Sequence, residues 1–262
     1  MTEYRAINQF NSPYIMKATQ YFLFKPTERR FILSSDIDVA RRNLEYINVP
    51  DFDNPVYRQP QQSWLDKPTS PPFFGGMILE NVQYRFENLP NNYIILVSIF
   101  LQYVIGLKEI NDKGYIHKDI KPDNLMYNYK NEEYTAKIID LGTVYNIITE
   151  TASFTPASQQ WMPEKDILIL QALTETAPAL STRTNTEKNK IIIDSITNSY
   201  DLYCLCKSFL EQFDIDKKSI FYTILAEGIH ENHTKRIKND DAIGKIRQLL
   251  KTPIKRSTSS PF

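Results

Sequence analysis

Between Tyr93 and Leu107 the chain reads YIILVSIFLQYVIGL, fifteen residues without a formal charge. So much apolar surface must leave water, and its length sets how. It is shorter than the ~20 residues a membrane-spanning helix needs, and Ser98 and Gln102 interrupt it. The run is therefore expected to be a buried helix of a soluble protein, with no membrane span. Asn91 or Asn92 can cap its start, and Gly114 is a good stop residue beyond its end.

Directly after Gly114 comes the opposite kind of sequence, YIHKDIKPDN, residues 115–124. Lys121-Pro122 prevents the helix from continuing, so this segment must be a loop. It concentrates carboxylates, amide and ammonium groups at the edge of a core. Sixteen residues after Asn124, the apolar stretch IID brings Asp140 to the end of a strand, just before Leu141-Gly142. Oxygen donors on two Asp and an Asn, with a Lys beside them, suit magnesium and a polyphosphate, because magnesium bridging phosphates needs only one or two protein carboxylates.

Whole-chain properties narrow the field. Lys plus Arg equals Asp plus Glu, 31 each among 262 residues, which argues against a dedicated nucleic-acid binder. The two cysteines, Cys204 and Cys206, are two apart; on a helix they point to different faces and are not expected to bridge. No Cys/His metal spacing is present. The start, MTEYRAINQF, lacks the layout of a signal peptide. A reducing, cytoplasmic setting is expected.

Periodicity divides the chain unevenly. Residues 14–25 and 29–35 read as strands joined by a Pro26-Thr27-Glu28 turn. SDIDVARRNLEYIN (35–48) reads as a helix, 50–72 as a proline-rich irregular stretch, and FFGGMILENV (73–82) as a buried strand running into a linker. After Asn91 the pattern turns helical, broken by a strand at 134–139 and a polar loop at 174–190. Helices follow at 199–213, around 217–229 and at 239–251, and KRSTSSPF forms a tail. An α+β fold in two lobes is expected, residues 1–82 strand-rich and 83–252 helical, with residues 253–262 trailing. A cleft between lobes is a usual place for a ligand.

Several motifs share a resemblance. His117-Lys118-Asp119-Ile120-Lys121-Pro122-Asp123-Asn124 resembles the catalytic loop of eukaryotic-type protein kinases, H-R-D-L-x-x-x-N. Asp140-Leu141-Gly142 resembles D-F-G, and Met162-Pro163-Glu164 resembles A-P-E. DLYCLC (201–206) is similar to the family's D-x-W-S-x-G helix start, and Arg236 stands like the arginine that pairs with the A-P-E glutamate. MILENV resembles the strand-to-hinge segment. The resemblance covers residues 77–240. It implies a bilobal protein-kinase-like fold and phosphoryl transfer from ATP with Mg2+ to a protein substrate. Asp119 would be the catalytic base and Lys121 would stabilise the moving phosphoryl group. Asn124 and Asp140 would hold the metal, and Glu80 and Val82 would offer backbone groups to adenine. Lys121-Pro122 resembles the serine/threonine branch, with Ser158 where the family has a threonine touching Asp and Lys.

The N-terminal part departs from that pattern. All seven glycines lie at or after Gly75, so a Gly-rich phosphate loop is missing there. The best counterpart is INQFNSPYIMKA (7–18), with Asn11 and Ser12 in place of glycines. For the lysine of the family's Lys–Glu pair the preferred choice is Lys25 with Glu45; Lys17 is another, and a third alignment puts Ser34 there. Lys118 replaces the Arg of H-R-D and cannot reproduce its bidentate phosphate contact. A segment of about 25 extra residues before Asp201, within 165–198, could meet a substrate or a regulatory protein partner. A pseudokinase scaffold and a small-molecule kinase of the aminoglycoside or choline type stand as alternatives. The divergent style is similar to kinases of viruses or of bacteria that inject effectors, for which the host cytoplasm is the expected location.

Overall fold

A computed structural model of the chain describes residues 7–25, 30–34, 74–150, 154–155, 157–176 and 187–251. The expected helix at 35–48, the irregular stretch at 50–72 and the tail lie outside these residues, and Glu45 with them.

The fold is mixed α and β, with small antiparallel sheets set beside helices. The first sheet has the order β2-β1-β3, from β1 (Ala18–Lys25), β2 (Arg30–Ser34) and β3 (Phe74–Leu79). β1 is central, pairing Phe24 with Phe31 on one side and with Phe74 on the other. Ile78 of β3 is exposed, so this strand is less buried than its apolar sequence predicts. The second sheet joins β4 (Tyr84–Arg85), β6 (Leu125–Lys130) and β7 (Glu133–Ile138). Asn131 and Glu132, both with positive φ, turn β6 into β7. A third, two-stranded ladder pairs β5 (Tyr115–Ile116) with β8 (Tyr145–Asn146).

The apolar run becomes α1 (Tyr93–Asp112). Its Asn92 cap accepts from the amides of Ile94 and Ile95 at 3.0 and 3.2 Å. The helix continues past Leu107 to Asp112, which makes it long and apolar enough to cross a membrane, contrary to the length expected from the uncharged run alone. In the fold its apolar surface is largely core: Leu96, Val97, Ile99, Phe100, Tyr103, Val104, Leu107 and Ile110 are all buried. Burial of each such side chain contributes roughly 1.5–3 kcal/mol before chain entropy is set against it. Gln102, an interruption in the sequence, pairs with the backbone of β7, donating to Tyr134 O at 3.0 Å and accepting from Ala136 N at 2.8 Å. Gly106 lets that strand approach, since a Cβ there would sit 2.9 Å from Ile138 Cδ1.

The remaining α-helices among the described residues are α2 (Glu164–Thr176), α3 (Glu187–Thr197), α4 (Tyr200–Gln212), α5 (Ile220–Gly228) and α6 (Asn239–Lys251). Helix occupies both flanks of the stretch expected to be a polar loop, at 174–176 and 187–190. Phe209 of α4 meets Phe86 and Phe100 at 5.0 Å each, stitching α1 to α4. Cys204 and Cys206 are free and buried. Cys206 lies against Gly228, where any Cβ would come within 2.3 Å of its sulfur, so α5 can dock only with glycine there.

Candidate active site

The loop after α1 is held from beneath. Gly114 turns the chain at φ 79 and Lys118 takes φ 74. The left-handed Lys118 lets successive amides converge on one carboxylate, that of Asp201 in the first turn of α4. Asp201 accepts from His117 N at 2.8 Å, Lys118 N at 3.1 Å and Asn111 Nδ2 at 3.2 Å. It is fully buried, and burial pushes its carboxyl pKa up, against the opposing pull of His117 and these hydrogen bonds. His117 is buried too. Its Nε2 meets Ile139 O at 3.0 Å, and its own carbonyl accepts from Thr143 Oγ1 at 2.9 Å. The histidine is thus a structural pin between the loop and the end of β7.

On that platform the polar side chains converge. Pro122 opens a short 3-10 turn over Pro122–Asn124. Asn124 donates to the Asp119 carbonyl at 2.8 Å and to Asp119 Oδ2 at 2.9 Å. Lys121 Nζ reaches the same Oδ2 at 2.8 Å and Ser158 Oγ at 3.0 Å. Asp119, Lys121, Asn124 and Ser158 therefore form one cluster. Asp119 is itself buried, and its second oxygen, Oδ1, has no hydrogen-bond partner. A buried carboxylate oxygen without a donor costs about 1–3 kcal/mol or more; Tyr200 Oη and Asn239 Oδ1 are likewise buried without partners.

Asp140 follows β7 with φ 58 and ψ 65, a left-handed geometry that Asp tolerates better than most residues. Ile139 N donates to Asn124 O at 3.0 Å, which sets Asp140 next in chain to the residue bonded to Asn124. Two oxygen-bearing side chains from adjoining segments suit magnesium, which keeps water and phosphate in its other positions. Among the described residues no group of three or more His, Cys, Asp or Glu is placed to hold a metal.

Lys118 is half-buried, with its ammonium 5.7 Å from the Tyr145 ring centroid and 5.9 Å from that of Phe154. Burial lowers its pKa, against the attraction of Asp119 and Glu150. Where the family's Arg would meet phosphate, this Lys packs against aromatic rings of the segment after Asp140.

Two expectations change. Asn11 and Ser12 do not form a phosphate loop: their amides donate to the Glu109 carboxylate of α1, at 2.5 Å each. Lys113 Nζ donates to Gln9 O and Lys17 Nζ to Phe10 O, while Phe10, Ser12 and Ile15 are buried. This segment packs against α1 because its amides find an anion already there. Arg236 pairs with Asp166, not Glu164. Both Arg236 and Asp166 are wholly buried and joined through both terminal guanidinium nitrogens, whereas Glu164 is exposed. Lys25 is the last residue of β1, and its expected pairing with Glu45 lies outside the described residues.

Glu80 lies at the end of β3. Its amide donates to Lys17 O at 2.9 Å. Its carboxylate takes Lys17 N at 2.8 Å and Lys137 Nζ at 2.8 and 2.7 Å. Val82 is half-buried two residues on. Sequence reasoning passed over Lys137 and Asp166, although each carries a visible signal. Lys137 is a charge inside the apolar strand end AKIID, and Asp166 opens the apolar helix DILIL.

No protein-family model matches the chain. Among the curated proteins that share partial similarity are two called eukaryotic translation initiation factor 2-alpha kinase PK4. The one from Plasmodium falciparum is 31% identical over 83 residues, 32% of this chain and 7% of the relative. The one from isolate 3D7 is 30% identical over 83 residues, again 32% of this chain and 2% of the relative. The matched portion is a small fraction of those proteins. It supports a protein-kinase-like relationship.

Proposed function

We propose that the chain transfers the γ-phosphoryl group of ATP to serine or threonine hydroxyls of a protein. The observation that carries this reading is the state of Asp119. One of its oxygens is fixed by Lys121 and Asn124, and the other is buried without a partner. A substrate hydroxyl donating to Oδ1 would complete that carboxylate. As the hydroxyl oxygen bonds to the γ-phosphorus and the bond to the bridging oxygen of ADP breaks, its proton passes to Asp119. Lys121, tied to Ser158, lies beside the acceptor and offsets charge on the moving group. Asn124 and Asp140 fit the donor chemistry of Mg2+, which when bound would neutralise phosphate charge. Glu80 and Val82 offer backbone groups to adenine, and the two-lobed arrangement, split near residue 82, belongs to the same reading. The ATP-rich cytoplasm, of a host where the protein acts there, is the matching compartment.

A second reading, a nucleotide- or partner-binding scaffold without transfer, is favoured by the N-terminal segment, whose Asn11 and Ser12 amides are engaged by Glu109. Label transfer from γ-labelled ATP with magnesium decides between them. The acceptors are the chain itself, a generic basic protein and translation initiation factor 2-alpha, taken from the relative's name. Labelled phosphoserine or phosphothreonine that disappears in Asp140→Asn is the expected result. Nucleotide binding without label in any acceptor would establish the scaffold instead.

A further inference from the structure

Three segments meet at Glu80. Its carboxylate holds the Lys137 ammonium with both oxygens, at 2.8 and 2.7 Å, and also accepts the amide of Lys17. The Lys137 side chain is 9% exposed and that of Glu80 23%, so the ion pair is largely screened from water. Lys17 directly precedes β1 and follows the stretch laid along β7. There Met16 N donates to Ile138 O at 2.9 Å, and Ile138 N donates to Tyr14 O at 2.8 Å. The junction therefore links the end of β3 and the start of β1 to the one strand, β7, that runs straight into Ile139 and Asp140.

A buried lysine is a costly way to tie strands together if packing alone were needed, since an apolar side chain would serve at lower desolvation cost. What a bidentate ion pair adds is a defined distance between two backbones. Here those backbones carry Glu80, which would offer its carbonyl to a base, and Asp140, which would face the phosphates. Their separation must match the length of one nucleotide.

We propose that Lys137 is a positioning residue that acts through Glu80 to set the spacing between the base-binding and phosphate-binding ends of the nucleotide site. The inference rests on the kinase reading. Without the pair the β3 end would shift relative to β7, and the nucleotide would bind more weakly while the Asp119 cluster stayed intact.

The test is steady-state kinetics with ATP as the varied substrate, beside direct titration with a fluorescent ATP analogue. Lys137→Met is expected to raise KM for ATP about tenfold with kcat within about threefold, a loss of binding rather than of chemistry. Glu80→Gln should do the same, and the double variant should be no worse than either single one, because both break one contact. Lys137→Arg, which keeps the charge, should recover most of the affinity. Thermal melting of each variant accompanies the kinetics. A fall in Tm with KM for ATP unchanged, or additive losses in the double variant, would overturn the inference and leave the kinase reading standing. If the wild-type chain neither bound the analogue nor turned over ATP, both would fall together.

Discussion

Two polar segments flank the base of α1 and use similar groups to opposite ends. The stretch 7–17 brings amides, Ser12 and Lys17 to one side, and the loop 117–124 brings His117, Asp119, Lys121 and Asn124 to the other. In the first, the chain satisfies itself: Glu109 takes the Asn11 and Ser12 amides, and Lys17 and Lys113 take carbonyls. In the second, Lys121 and the Asn124 amide nitrogen are tied to Asp119 Oδ2, and Asp119 Oδ1 is buried without a partner. Polar density alone does not distinguish a working loop from a fastening. Nor does an unfilled acceptor alone, since Tyr200 Oη and Asn239 Oδ1 are also buried without partners; what sets the second loop apart is that Lys121, Asn124 and Ser158 gather around that one carboxylate.

That contrast can be broken by substitution, most forcefully at its centre. Asp119→Asn should cut phosphoryl transfer about a thousandfold, the scale of a lost general base. It should leave thermal unfolding nearly unchanged, since Asn can still receive Lys121 and Asn124. Unfolding at a much lower temperature would place Asp119 among the fastenings. The Arg236–Asp166 pair should behave in the opposite sense. Asp166→Asn removes half of a wholly buried ion pair and should cost about 3 kcal/mol in denaturant unfolding, whereas the exposed Glu164→Gln should cost under about 0.5 kcal/mol. Equal costs would return the pairing to Glu164.

Glu109 gives a smaller effect with a pH signature. Burial pushes its carboxyl pKa up, but the Asn11 and Ser12 amides and Lys113 outweigh this and hold it below the ordinary 4.5. A carboxylate with a lowered folded pKa stabilises the protein fully above its unfolded value, and the contribution fades as pH falls through the folded one. Glu109→Gln should therefore cost about 1 kcal/mol at neutral pH, allowing for its partial exposure. The difference from wild type should shrink below pH 4.5. A gap that persists unchanged into acid would mean that its charge does not carry the contact. A small effect is also expected inside the loop 117–124. Lys118→Met keeps the packing between Tyr145 and Phe154 and should lose only about 0.5–1 kcal/mol of cation–π attraction, read as a small drop in Tm.

Much of this was legible in the residues, for particular reasons. The charge-free run and its Asn92 cap announced α1, and Lys121-Pro122 announced the loop, because those signals are local. The helices after Asn198 followed from their apolar spacing. Their docking through Gly228 and Cys206 did not, because two distant residues must be known to touch. The convergence of Lys121 on Ser158 spans 37 positions, yet motif order placed both. The N-terminal segment misled because Asn11 and Ser12 tolerate a phosphate-loop geometry, and nothing local reveals that Glu109, nearly a hundred residues on, supplies the anion. Likewise Asp166 and Glu164 are two apart, and only the turn of α2 decides which one faces Arg236. β6 escaped notice since LMYNYK, with its exposed tail, lacks clean alternation.

The most direct measurement pairs the two segments. Asp119→Asn and Glu109→Gln would be prepared alongside wild type and assayed for label transfer from γ-labelled ATP and for thermal melting. We expect Asp119→Asn to melt like wild type and transfer no label, and Glu109→Gln to melt lower while still transferring label. An Asp119→Asn variant that retained transfer, or a Glu109→Gln variant that lost it without losing stability, would contradict the assignment of the unfilled carboxylate oxygen as the working group.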